Sequence, residues 1–454
     1  MFMCKKIVVL VFVLVPIIVG LISPTTGFGK DLEKRVEELE GRVKELEKLL
    51  AKYKALLEEK EAIKPILPEK VAVVAAEKKA PPKGPSVWSR YNMQFDGRIK
   101  IDTHYDDVAF NKYNDFIGVI AAGKDYKKDS VNFNPRDTRL AFRVMHGLGN
   151  LIGEGRFESD FYGDTKGNNI IPRIRLAYVN LKNPTTGRSF LVGQDWTPVA
   201  QQNPHMCEFG IMAAGGNLWW RIPQITTRQE LGDFELLGSL MRHRRISPQE
   251  EGRWPWMLGR IAYNMKALGK GNMIALGAGY RRDKVEKYGY YFGQEVTGEV
   301  RLNRWLAALE LKLKKDPFEL KGEGWVGQGI GDHWLRYYMG FNPLTGDEIR
   351  SQGGFLSLLY KTPIKRLSLG CGAGVDHATK SDLRGWDFIQ KEDGGKTGLD
   401  YDARFSRNMQ FFANLWYELT PGIKLVGEYI RMENERFTET RDGNRFTFSV
   451  FYSL

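Results

Sequence analysis

Arg139-Leu140-Ala141-Phe142-Arg143-Val144 belongs to a stretch, Thr138 to Trp196, in which every second residue changes character. Arg139, Ala141 and Arg143 are basic or small, while Leu140, Phe142 and Val144 are apolar. The rule continues with Arg156, Glu158 and Asp160 against Phe157 and Phe161, and with Arg173 and Arg175 against Ile174, Leu176 and Tyr178. Successive side chains of a strand point to opposite faces. The stretch therefore reads as four antiparallel strands, joined by one longer and two shorter connections, with one charged face and one apolar face. A soluble sheet would bury the apolar face on a core; the rest of the chain decides whether it supplies that core or more of the same sheet.

It supplies more sheet. From Trp88 onwards the spacing predicts sixteen strands, near 89–102, 138–146, 151–162, 172–181, 189–196, 221–230, 234–244, 256–265, 273–283, 304–314, 318–327, 354–361, 367–378, 408–419, 423–436 and 445–454. Short connections rich in turn residues, such as Gly147 to Asn150, Leu231 to Asp233 and Pro421-Gly422, alternate with long polar ones at 103–137, 197–220, 328–353 and 379–407. Short turns at one end and long loops at the other, around an even strand count, are the asymmetry of an outer-membrane β-barrel. Closure also removes the exposed edges of so wide a sheet. The fold class is all-β: a sixteen-stranded antiparallel transmembrane barrel, its apolar parity turned to outer-membrane lipid and lipopolysaccharide.

Composition agrees. Mean hydropathy is -0.38 and no apolar run after the N-terminus approaches the length of a membrane helix, which excludes helical bundles but not barrels. Aromatic residues at 12% and 49 glycines suit a large sheet with interfacial rings. Trp219, Trp220, Trp254, Trp256 and Trp416 are expected in such girdles or in wall packing. The last strand places Phe446, Phe448, Val450, Tyr452 and Leu454 on one parity up to the chain terminus, which resembles the C-terminal signal of bacterial barrel assembly, with Leu454 where Phe or Trp is usual.

The N-terminal part has a different organisation. Lys5 and Lys6 precede an apolar run from Ile7 to Ile22, and Gly27-Phe28-Gly29 supplies small residues for cleavage, so residues 1–29 read as a signal peptide. Over 30–63 a heptad seam runs through Leu32, Val36, Leu39, Val43, Leu46, Leu50, Tyr53 and Leu57, with Arg35–Glu40 and Arg42–Glu47 spaced as interhelical ion pairs. This predicts a periplasmic coiled coil and an oligomer, and Val alternating with Leu in the seam leans to two strands. Residues 64–87, rich in Pro, Ala and Lys, read as an extended linker to the barrel at 88–454.

The formal charge is +12, of which about +8 falls on the barrel region. Nucleic acid is not an expected partner of an exported chain; small anions and lipid head groups are. Inward parity gathers Arg98, Lys100, Arg139, Arg143, Arg156, Arg173 and Arg175 on adjoining strands, with Arg260 and Arg281 further round, as an anion path. Such a wall acts on every passing ion because the Debye length at physiological salt, about 8 Å, is comparable with a pore radius. The alternative is that these cations pair with Asp96, Asp102, Glu158, Asp160 and Glu323 and leave little net selectivity. No nucleophile motif occurs, and the six histidines show no ligand spacing, so neither catalysis, a cofactor nor a metal is expected; His205 with Cys207 offers only two ligands. Cys371 falls on the lipid-facing parity with Leu369 and Ala373.

The coil over Leu32 to Leu57, the segment Arg173-Ile174-Arg175-Leu176-Ala177-Tyr178-Val179 and the following Phe190-Leu191-Val192-Gly193-Gln194-Asp195-Trp196 resemble trimeric outer-membrane porins. The likeness is to the DcaP-like group, related to the phosphate-selective porins. It implies a homotrimer through barrel and coil, and passive uptake of small anionic organic acids such as dicarboxylates. Loop 197–220 follows the fifth strand, the connection that folds inward and narrows the channel in sixteen-stranded porins; the resemblance implies the same here, and Pro198, Pro204 and Gly215-Gly216 would allow it. Asp195 stands where a small hydroxylated residue is expected, so a particular substrate is not carried over. A structural role, with the coil tethering the outer membrane to the cell wall and the pore incidental, is the competing class.

Overall fold

The computed structural model describes residues 92–454, apart from 111–117, 122–125, 164–169, 244–249, 252–253, 288–289, 292–293, 296, 335–339, 343, 385–388, 391–404 and 437–438. The expected signal peptide, coiled coil and linker lie outside the described residues.

Sixteen long strands follow one another as β1 (Asn92–Asp106), β2 (Arg139–Leu148), β3 (Leu151–Asp160), β4 (Arg173–Asn183), β5 (Arg188–Trp196), β6 (Arg221–Leu231), β7 (Phe234–Met241), β8 (Trp256–Asn264), β9 (Met273–Glu286), β10 (Glu299–Lys315), β11 (Phe318–Gln328), β12 (Arg350–Lys361), β13 (Leu367–Ala378), β14 (Phe405–Thr420), β15 (Ile423–Arg436) and β16 (Thr440–Ser453). Each pairs antiparallel with the next, and β1 pairs with β16 from Arg98↔Ser453 to Asp106↔Arg445, so the sheet closes on itself. The segment Ser130–Asn134 continues the line of β2 and pairs with the far end of β1. Expected and observed strands correspond one to one. The differences lie at the long-loop ends, where β1 runs on to Asp106 and β10, β12, β14 and β16 begin three to five residues earlier than the alternation suggests. The extension Thr440-Arg441-Asp442-Gly443-Asn444 is polar on both faces and carries no period-two signal, while that of β10 turns apolar Val300 and Leu302 inward, against the sense of the lipid-facing alternation.

Short turns are glycine-built where the chain must reverse at once. Gly232, between β6 and β7, has φ of 64°, a left-handed conformation in which a side chain is disfavoured.

The outer face is apolar. Ile99, Ile101, Phe142, Phe157, Val192, Ile261, Leu276, Leu356 and Phe448 are exposed on it, as is Cys371. Exposed rings mark two levels. At the short-turn end Phe234 meets Tyr263 and Phe318 meets Tyr360, both with centroids 5.0 Å apart. At the other level Phe446 lies 4.9 Å from Tyr429 and 6.4 Å from Tyr105. Aromatic rings bounding an apolar band are what a membrane interface selects. Of the five tryptophans expected in girdles or wall packing, Trp254 is exposed and the other four are interior: Trp220 packs on the buried cluster of Leu218 and Trp256, and Trp416 on Cys207 and Phe451. Trp219 is carried inside by its loop, and Trp256 is fully buried because it shares the inward parity of Arg260.

One parity reading is corrected. Glu158 pairs with Leu176 and Ser159 with Ile174, leaving Arg175 as the extra residue of a bulge. Beyond it the faces exchange: Leu176 is buried, Tyr178 turns inward to donate to Glu154 at 3.3 Å, and Val179 is exposed outside. A single inserted residue flips every later side chain.

Candidate pore and anion site

The loop between β5 and β6, residues 197–220, enters the barrel and is held by the opposite wall. Its amides donate to three inward carboxylates: Ala200 to Glu310 at 3.0 Å, Leu218 to Glu323 at 2.5 Å, and both Cys207 and Glu208 to Glu428 at 2.7 and 2.8 Å. Lys100 donates to the Cys207 carbonyl at 2.7 Å, Asn414 to the His205 carbonyl at 2.7 Å, and the Trp325 indole to the Gly216 carbonyl at 2.7 Å. Gly216, at φ of 99°, lies so close to the wall that a Cβ would collide with the carbonyl oxygens of Gly354 and Val375. Ala200, Ile211 and Met212 also hold positive φ, a strain that persists only where surrounding contacts over-determine the path.

The lumen around this loop is filled unevenly. Met206, Met212 and Ala214 pack with Val108, Phe110, Val119 and Ile120 of the first long loop against Phe355, Phe412, Ile430 and Met432. On the other flank Val199, Ala200 and Leu218 pack with Trp256, Leu258, Leu306, Trp325 and Trp334. The inward side of β1 to β4 is charged instead.

All nine expected path residues lie on the inner face, and all nine have carboxylate partners. Arg98, Lys100 and Arg139 converge on Asp137 at 2.6, 2.9 and 2.8 Å. Burial alone would raise the Asp137 carboxyl, but Arg139, Lys100 and Arg98 together hold it well below the usual carboxylate range. Arg143 reaches Glu154 at 3.5 Å and Arg156 reaches Glu158 at 2.9 Å. Arg173 reaches Asp160 at 2.8 Å, and Arg175 bridges Glu158 and Asp160 at 2.7 and 2.8 Å. Arg260 is sandwiched by Glu310 and Glu235 at 2.8 and 2.9 Å, and Arg281 meets Asp283 at 2.5 Å. Arg175, Arg260, Arg281 and Lys100 are closed off from solvent, whereas Arg98, Arg139, Arg143, Arg156 and Arg173 keep a fifth to two-fifths of their side chains exposed. Of the acids expected to compensate them, Asp102, Glu158 and Asp160 do so, while Glu323 instead holds the loop and Asp96 accepts from Gln94.

Between the loop and the charged arc lies a cavity of about 350 Å³. Arg98, Arg139, Arg175, Arg221 and Lys424 line it against Asp137 and Glu208, and Trp196, Phe209, Trp219, Trp416 and Phe451 supply its apolar surface. Arg221 is the residue that the sequence reading missed. Its guanidinium centre stands 5.0 Å from the Trp196 ring and 5.2 Å from Trp219, within cation–π range of both. It opens β6 directly after the loop, on the same sequence parity as outward Ile225, so alternation did not place it in the lumen.

His205 and Cys207 do not converge. The imidazole Nδ1 lies 3.0 Å from the Ser357 hydroxyl, and the thiol lies 3.0 Å from that of Ser449 on another strand. Among the described residues no group of three metal-binding side chains forms.

No protein-family model and no curated protein matches this chain, whereas solved structures do. The outer-membrane channel DcaP of Acinetobacter baumannii superposes with a TM-score of 0.67 over 81% of this chain and 98% of its own, at 17% identity. This is the DcaP fold. OprB of Pseudomonas putida and the trimer form of the outer membrane protein OmpT of Vibrio cholerae are looser matches, with TM-scores of 0.48 and 0.47, identities of 9% and 10%, and 80% of this chain covered in each case. OprB is covered over 94% of its length and OmpT over 99%. At 17% identity the likeness to DcaP is one of architecture, so the chemistry of the lumen must be argued from this chain's own residues.

Proposed function

We propose that this protein is an outer-membrane porin that lets small, preferentially anionic solutes diffuse passively through a constriction made by loop 197–220 and the arginine-lined arc of β1 to β4. The observation that carries the reading is the lumen itself: an inward loop pinned across the barrel, beside a cavity in which four arginines and a lysine outnumber two acids. The likeness to an outer-membrane channel supports the same reading. The partly exposed guanidinium groups of Arg98, Arg139 and Arg173 offer planar forks that fit carboxylate or phosphate oxygens. Their sharing of Asp137 and Asp160 keeps each anion weakly held, as flux requires. Organic acids, dicarboxylates among them, are the solute class, and phosphate is the runner-up. A homotrimer in the outer membrane, with the heptad segment as a periplasmic coil that reaches the cell wall, is part of the proposal.

Liposome swelling tests it. Proteoliposomes in isotonic organic-acid salts should swell faster than in salts of equally sized organic cations. Equal rates would reduce the protein to a general pore, and no swelling with folded protein would promote the tether.

A further inference from the structure

We propose that Trp219 and Arg221 form a carboxylate site in the cavity, suited to an organic monoanion with a flat apolar body. The proposal rests on the pore reading above and names the solute that its constriction favours.

The starting observation is a pair of unmet donors. Arg221 Nη1 and Trp219 Nε1 are both buried, and neither meets an acceptor. Buried donors in folded proteins are almost always satisfied, and an exception calls for an explanation, of which a bound water or ion is one. Here the two orphans belong to residues two apart in the chain, and both residues line one cavity. A carboxylate carries two oxygens and a charge, so it can accept from an indole N–H and a guanidinium N–H together.

Charge narrows the class. Arg98 and Arg139 share Asp137, and Arg175 is bridged to Glu158 and Asp160. Among the described residues no carboxylate lies within ion-pair reach of Arg221, whose charged surroundings are Arg175, Arg173 and Arg139 with Asp160 in opposition. One guanidinium is thus left without its own acid at this point. A single carboxylate matches it, while a second would face Asp137 and Glu208 across the cavity.

Shape narrows it again. Trp196 and Trp219, their ring centroids 6.1 Å apart, both pack against the guanidinium, so the fork is pre-organised. Phe209, Trp416 and Phe451 complete the wall, and a flat ring would cover apolar surface that a hydrated inorganic ion cannot.

Single channels in planar bilayers test the site, with benzoate, acetate and succinate added separately as blockers. Benzoate is expected to interrupt the current at about tenfold lower concentration than acetate or succinate. Arg221→Gln and Trp219→Phe should each raise the benzoate concentration needed at least fivefold, and Arg221→Lys should recover only part of the loss because it restores charge without the fork. Arg350→Gln, at an exposed ion pair with Asp382, should leave the response as in the parent. Heat-modifiable migration on gels reports folding; if Arg221→Gln does not fold, Trp219→Phe, which keeps an aromatic ring while removing the indole N–H, decides alone. Channels that conduct but respond equally to benzoate and acetate, or keep the benzoate response in Trp219→Phe, overturn the site and leave the pore reading standing. Folded protein with no conductance overturns the pore reading and this site with it.

Discussion

The arc of β1 to β4 and the arc of β10 to β15 obey the same alternation, yet their inward faces do opposite work. On the first, arginines and acids interlock and leave guanidinium edges at a cavity. On the second, Phe355, Phe412, Ile430 and Met432 meet apolar residues of two loops, and three carboxylates take loop amides. The difference teaches that parity decides inside from outside but not lumen from core. Once a loop folds in, the wall it touches becomes protein interior, and only the arc it leaves free remains a conduit.

Each arc can be broken separately. The largest effect is expected from Glu428→Ala, which leaves the Cys207 and Glu208 amides without their acceptor. Each orphaned buried donor costs about 1–3 kcal/mol. The loop should loosen, so single-channel conductance should at least double and the unfolding temperature on gels should fall. Unchanged conductance would mean the loop does not limit the pore. Phe412→Ala, within the packed arc, should cost about 3 kcal/mol by cavity formation and lower thermal stability while leaving ion preference as it was. A change in ion preference there would put the conduit on the wrong arc.

Within the charged arc, Asp160→Asn removes the partner of partly exposed Arg173. The freed cation should increase anion over cation permeability by roughly twofold, the equivalent of about 0.5 kcal/mol for a partly solvated pair. Bi-ionic potentials would read it, and a shift towards cations would show that Asp160 serves only to position the arginines. The smallest effect is a null. Burial first, with Lys321 next, depresses the His205 imidazole to about 4, so it stays neutral as pH falls from 8 to 5. Parent and His205→Gln channels should therefore show the same reversal potentials across that window, and a difference between them would mean that the imidazole gains its proton inside it.

The barrel was legible because alternation, turn chemistry and the short–long asymmetry of connections all point the same way over sixteen strands. Strand ends were legible only where they cross the apolar band, since beyond it both faces of β16 are polar and β10 turns its apolar Val300 and Leu302 inward, against the sense of the band. The bulge at Arg175 was not legible, because an inserted residue leaves local composition unchanged while it sends Tyr178 inside. The nine path residues could be placed on the inner wall from parity alone. Their individual partners could not: Asp137 lies in a connection, and Glu310, Glu323 and Glu428 become loop anchors only through contacts more than 100 positions apart in the chain. Arg221 and Trp219 escaped for the same reason, since the inward loop that makes a site of them has no periodicity.

The most direct test of the central claim is the reversal potential of the purified protein in a planar bilayer under a salt gradient, at low and high ionic strength. The account predicts anion preference that fades as salt screens the charged arc. A neutral or cation-selective reversal potential at low salt would contradict it, because the acids of the wall would then cancel or outweigh the guanidinium edges.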